Sequence, residues 1–328
     1  MSVLLLAAVS PASAAVLAYE GFDPTSAPAD GAVITGVAGA TSVGFDLGSS
    51  WSNFSSGASA DSTYVASGLT FSTMNVVGGA LRQVSDPSGS PRANASRPLD
   101  VGATGTIYGS YLARPTIDPA DQQDLTGVSV AGVSSYGNGT DAIDDVSHFQ
   151  VNMEMYVGGG DWGGGTINGD GSPTGRFYNN TTAGTSDVEL SEDTTYLVLF
   201  KMENLSTLSV DVSQTLTEWI LTEAQYANFL ADGSLTDVEL NAASEGSGAT
   251  SVLQRGTITK TTDATFSSTD FLLVNSAFEV NTIVDELRIS NFSLGEAVGL
   301  STIPEPSTAL LAVFGMLVIG IRRRLQQP

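Results

Sequence analysis

Ten residues constrain this chain most: His148 to Val157, HFQVNMEMYV. Phe149, Val151, Met153, Met155 and Val157 take one phase of a period of two, and Gln150, Asn152, Glu154 and Tyr156 take the other. Successive side chains of an extended strand lie on opposite faces, so the segment is an antiparallel strand with one face on a core and one face polar. Tyr196 to Met202 (YLVLFKM) is more continuously apolar and suits a strand covered on both faces. Leu208, Val210 and Val212 alternate again, and further strands are expected at Gly68–Phe71, Gly105–Leu112, Leu125–Val133, Phe271–Val274 and Ile283–Ile289. Short strands separated by Gly, Ser and Thr predict an all-β fold, an antiparallel β-sandwich or jelly roll. Residues 15–300 form one domain with no internal repeat, and Thr35 to Thr63 is turn-rich.

Two segments break the strand pattern. Thr222-Glu-Ala-Gln225 and Thr236-Asp-Val-Glu239 each fit a capping box, and Leu235 and Leu240 stand at the hydrophobic-staple positions of the second. The spacing predicts a helical hairpin inserted between strands, with helices over 222–231 and 236–243 joined by Ala231-Asp232-Gly233-Ser234. Gly158 to Gly175 (GGGDWGGGTINGDGSPTG) is expected to be a long loop, with Trp162 its only large side chain.

Charge narrows the partners. The 328 residues carry 12 Lys+Arg against 35 Asp+Glu, a formal net charge of −23. Such a surface repels phosphate backbones, which argues against nucleic acid, and it suits cations and solubility. No cysteine is present, so disulfides, thiolate metal sites and thiol nucleophiles are excluded.

The two ends carry addresses. Val3 to Val9 is a short apolar core broken by Ser10-Pro11, and Ala12-Ser13-Ala14 follows as an A-x-A cleavage site, so residues 1–14 are expected to be a secretory signal peptide. No Lys or Arg precedes the apolar run, which points to a true start upstream of Met1 or to an atypical signal. At the other end, Thr308 to Ile321 holds no charged residue and spans roughly 21 Å as a helix, short of the roughly 30 Å hydrocarbon core. Arg322, Arg323 and Arg324 follow it and would stay cytoplasmic, which leaves the body outside. An N-terminal export signal predicts the same orientation. Pro304-Glu305-Pro306, then an apolar helix, then the arginine cluster resembles the PEP-CTERM sorting signal, which here covers 303–328. The resemblance implies an exported surface or extracellular-matrix protein whose C-terminal transmembrane helix is recognised and cut near the triplet by an exosortase, a membrane processing enzyme. A permanent single-span anchor would have the same topology.

Ala18-Tyr-Glu-Gly-Phe-Asp23, Thr106-Ile-Tyr-Gly-Ser-Tyr-Leu112, Tyr196-Leu-Val-Leu-Phe-Lys201 and Val284-Asp-Glu-Leu-Arg-Ile289 occur in the order found in concanavalin A-like (laminin-G-like) jelly rolls. The body is similar to that family, which implies two packed antiparallel sheets. The helical hairpin and the length of the glycine segment depart from its pattern.

Little of the chain points to catalysis. The only histidine, His148, opens a strand, and no Gly-x-Ser-x-Gly elbow accompanies it, so it is assigned a structural role. A zinc site needing several His or Cys ligands is excluded. Glycoside hydrolysis needs two carboxylates facing one substrate, and the Glu-x-Asp-x-x-Glu stretch of laminarinase-type jelly rolls is absent; Glu154 stands alone on its strand face. Asp285 is expected to share a face with Ile283, Leu287 and Ile289 and to hold a loop backbone, while Glu286 and Arg288 form a surface pair on the other face.

Calcium needs only oxygen ligands on a bent loop, and three places offer them. Asn168-Gly-Asp170 lies near Asp161; Asp141, Asp144 and Asp145 precede the long strand; and Asn228 to Glu239 can be laid on an EF-hand loop, although Leu230 falls at a ligand position and a capped hairpin explains the same residues. Trp162, Tyr136 and Tyr156 are the candidate platforms for stacking sugars. The expected function is therefore a non-catalytic surface or matrix protein that binds polysaccharide or calcium, the alternative being a glycosidase or lyase on the same fold.

Overall fold

A computed structural model describes residues 16–24, 26–55, 61–84, 92–116, 126–131, 148–153, 163–167, 191–205, 212–231, 233–262, 266–277 and 281–300. Strands β1 to β7 are Val16–Glu20, Ser52–Ser55, Asp61–Val65, Ala80–Val84, Arg92–Pro98, Gly105–Pro115 and Thr126–Ala131. Strands β8 to β11 are His148–Met153, Gly163–Ile167, Tyr196–Leu205 and Val212–Leu221. Helices α1 (Glu223–Phe229) and α2 (Asp237–Ala242) follow, then β12 (Gln254–Thr262), β13 (Phe271–Ala277), β14 (Asn281–Ser290) and α3 (Leu294–Ala297).

The strands form two antiparallel sheets. One runs β12-β11-β10-β6-β14-β4-β3, with β1 also paired to β14; the other runs β2-β5-β13-β7-β8-β9. An apolar layer joins their facing sides, with Tyr111, Val198, Phe200, Leu216 and Ile220 from the large sheet meeting Ala95, Val128, Val130, Leu272 and Val274 from the smaller one. This is the expected all-β sandwich. The expected strand at 196–202 is the middle of the large sheet, and both its faces are buried: Tyr196, Val198, Phe200 and Met202 face the second sheet, and Leu197 and Leu199 face away.

A second apolar layer covers the opposite face of the large sheet. Leu112, Leu197, Leu199, Trp219 and Leu221 pack there with Leu69, Phe71, Tyr226, Leu235, Leu240, Leu294 and Val298. The helical hairpin exists to form this layer. Both capping boxes are present: the Thr222 and Thr236 side chains accept from the backbone N–H of Gln225 and Glu239, whose side chains accept from the cap N–H. Tyr226 stacks obliquely on Phe71 at 5.5 Å, and Trp219 Nε1 donates to Asn241 Oδ1 at 3.1 Å, so the insert is bound to the sheet below it.

Three expectations are corrected. Gly68–Phe71 is not a strand; it is a buried loop whose Leu69 N–H donates to a carboxylate instead of a ladder partner. The glycine-dense stretch is not loop throughout, because Gly163–Ile167 forms β9 and pairs with β8, a ladder that needs only backbone groups. On β14, the register slips between Asp285 and Arg288, and Glu286 adopts φ 52. This bulge resets the alternation. Ile283 stays with the outer layer, while Val284, Leu287 and Ile289 all enter the layer between the sheets.

Candidate functional site

The residues singled out for ligands and sorting lie outside the described residues: Tyr136, Asp141, Asp144, Asp145, Tyr156, Asp161, Trp162, Asn168 and Asp170, together with Ala12, Ala14, Pro304, Glu305, Pro306, Arg322, Arg323 and Arg324. Thr308–Ile321 lies outside them as well; among the described residues no helix is long and apolar enough to cross a membrane. Nor do the described residues contain a group of three or more His, Cys, Asp or Glu able to hold a metal ion. In the segment laid on an EF-hand loop, Glu239 is taken by its own helix cap, accepting from both N–H and Oγ1 of Thr236. The capped-hairpin alternative accounts for it.

The buried carboxylates belong to the frame. Asp285 is fully buried, and its Oδ2 accepts from the Leu69 N–H at 2.7 Å, as expected of a residue that holds a loop backbone. Burial, and then the neighbouring Glu286, push its carboxyl well above the usual range. Glu286 pairs with Arg288 at 2.7 Å, but the bulge turns it inward, so the expected surface pair is a buried one. Its other oxygen accepts from Val77 N–H at 2.7 Å and from the Tyr19 hydroxyl, while the Arg288 guanidinium lies 4.8 Å over the Tyr19 ring. On the other edge of β1, Glu20 pairs with Arg97 of the second sheet and also accepts from Trp51 Nε1 at 3.0 Å and the Phe22 N–H at 2.8 Å. These contacts tie β1 and β14 to loops and to the opposite sheet.

One region of the large sheet escapes the outer apolar layer. Cross-strand register puts Thr63, Arg82, Ile283 and Arg114 in one row over β3, β4, β14 and β6, and Asp61, Val84 and Asn281 in the next. Ile283 is buried, but Arg82, Arg114, Thr63, Val84 and Asn281 are partly exposed. The Thr116 hydroxyl beside them contacts Asn281 Oδ1 at 2.5 Å. The Nε of both arginines is buried without a hydrogen-bond partner. Sequence reasoning missed this pair; the two arginines are far apart in the chain, and only the pairing of both strands with β14 brings them together.

Topology and layering make the body an antiparallel β-sandwich of two packed sheets. Its structure is similar to lectin II from Ulex europaeus (10% identity over 76% of this chain and 100% of that one, TM-score 0.38). It is also similar to peanut lectin (7%, 74% and 97%, TM-score 0.37) and to the alginate lyase vAL-1 from Chlorella virus (6%, 73% and 92%, TM-score 0.42). No curated protein matches the chain in sequence. What marks this particular chain is its end: residues 302–324 match the PEP-CTERM protein-sorting motif. The motif makes it an exported protein carrying a membrane-anchored sorting signal.

Proposed function

We propose that this is a non-catalytic surface or matrix protein that binds polysaccharide, and that an exosortase-type enzyme processes it at Pro304-Glu305-Pro306. The observation that carries the reading is the sorting motif at 302–324, which begins two residues after Leu300, the last described residue of the sandwich. The body supports a binding role over a catalytic one. Asp285 and Glu286 are fully buried and bonded to backbone N–H groups, so neither is placed to touch a substrate. Apolar layers also seal the middle of the large sheet on both sides, which favours ligand contacts at its open end and at the loops. The oxygen ligands for calcium would come from Asp141, Asp144, Asp145, Asp161, Asn168 and Asp170.

Intact-mass analysis of the protein from its own cells and medium, followed by a glycan array on the recovered form, tests this. Loss of the first 14 residues, a cut near the triplet and retention of specific glycans are expected. An uncut tail in the membrane fraction would remove the processing step, and depolymerisation of a bound glycan would overturn the non-catalytic role.

A further inference from the structure

We propose that Arg82 and Arg114, on either side of Ile283 at the open end of the large sheet, bind carboxylate groups of an acidic polysaccharide. The inference rests on the polysaccharide-binding reading and adds the class of ligand and its site.

Arginine is scarce here, and its use elsewhere is consistent. Arg97 pairs with Glu20, Arg288 with Glu286, Lys201 with Asp237 and Glu203, and Arg255 donates to the carbonyls of Leu240, Asn241 and Ala243. Arg82 and Arg114 break this habit. Among the described residues neither side chain makes an ion pair, and both are partly exposed; a buried Nε–H without an acceptor is a feature they share with Arg288. The two terminal nitrogens of a guanidinium form a planar fork that fits the two oxygens of a carboxylate.

The two arginines occupy the strands on either side of β14, so their backbones are about 10 Å apart, two interstrand spacings. Thr63 and Asn281 stand next to them, partly exposed, and supply the hydroxyl and amide groups that sugar hydroxyls pair with. The two cations stand beside Thr63 and Asn281, with Asp61 in the next row, so the site suits a chain of neutral rings carrying spaced carboxylates and not one with dense charge. A nucleic acid is disfavoured, because its dense phosphates meet the −23 net charge of the whole protein. A sulfate ester offers the same kind of anionic oxygens, but a planar two-oxygen acceptor matches the fork better.

The test is calorimetric titration of the intact chain in detergent with a uronate oligosaccharide, its carboxyl-reduced neutral form, and a sulfated oligosaccharide of equal length. The uronate is expected to bind at least about tenfold more tightly than the neutral form and more tightly than the sulfated one, one charge-assisted hydrogen bond being enough for that ratio. Arg82→Met and Arg114→Met should each weaken it by a similar factor, while Arg255→Met, which removes the same charge elsewhere, should not. In the wild-type chain the uronate should also protect Arg82 and Arg114 from phenylglyoxal, read by mass spectrometry; this measurement does not depend on the variants folding. Preference for the sulfated ligand would overturn the carboxylate assignment. Equal binding of the uronate and its neutral form, unchanged in both variants, would overturn the arginine site and leave polysaccharide binding standing. Failure of every oligosaccharide to bind would overturn both.

Discussion

Glu218 lies on β11 in the layer between the sheets, 2% exposed, and neither of its carboxylate oxygens has a hydrogen-bond partner. Its cross-strand neighbours are Phe200 and Gly256, which offer it no side-chain donor. Burial alone pushes its pKa well above the usual range, and Tyr111, whose hydroxyl is also pushed up by burial and by Glu218, is the nearby titratable group. The β9 strand packed opposite, Gly163–Ile167, contains no titratable residue. A raised carboxyl is protonated in the folded chain while the unfolded chain ionises near pH 4.3. Its contribution is therefore fully present below about pH 4.3 and is lost as pH rises, at about 1.4 kcal/mol per unit, until the folded group itself ionises. By pH 7 the loss is at most a few kcal/mol. Glu218→Gln removes the titration but keeps a buried polar group; Glu218→Met removes both and recovers a further ~1–3 kcal/mol. Urea unfolding of the intact chain in detergent at pH 4, 5.5 and 7 measures this. Stability of Glu218→Gln relative to wild type should rise steadily with pH. A flat difference across the three pH values would refute the buried, protonated carboxyl.

Replacing Arg97 by Met strands the Glu20 carboxylate in the interior, and a loss of ~3–5 kcal/mol is expected in the same urea assay. Gly109→Ala puts a methyl into the Phe200 ring, so ~1–3 kcal/mol should be lost, and Gly109→Ala with Phe200→Leu should recover part of it. Thr236→Ala removes one capping box and should cost ~1 kcal/mol, with faster amide exchange confined to α2.

Local patterns in the sequence predicted local structure well. Of the strand expected over His148–Val157, residues 148–153 form β8 and the rest lie outside the described residues; the two-sided apolar run at 196–202 lies within β10, and both threonine caps start helices where the boxes stand. These signals are carried by side chains near one another in the chain. Glu218 was not legible, because its cost comes from Phe200 and the opposite sheet, neither of which the local string TLTEWIL reveals. The bulge at Glu286 was missed for a related reason. A strict alternation over Ile283–Ile289 put Leu287 and Ile289 beside Asp285, and only the pairing of β14 with β1, β4 and β6 forces the extra residue.

That bulge also bears on where a ligand can bind. β14 gives its first half to β4 and its second half to β1, with Glu286 at the junction. On one side of the junction, Glu286, Arg288 and Tyr19 close the sheet under the loop that ends at Gly79; on the other, Ile283 is the last covered residue and the two arginines beside it are partly exposed. The hairpin, the 66–79 loop and α3 all pack above the junction, anchored by Asp285 through Leu69 and by Ser110 through the carbonyl of Ala297. Extending the cover by one more row would bury two guanidinium groups without acceptors, a cost of several kcal/mol for each. Two partly exposed guanidinium groups, without an ion pair among the described residues, are therefore what an anionic ligand would find at this end of the sheet.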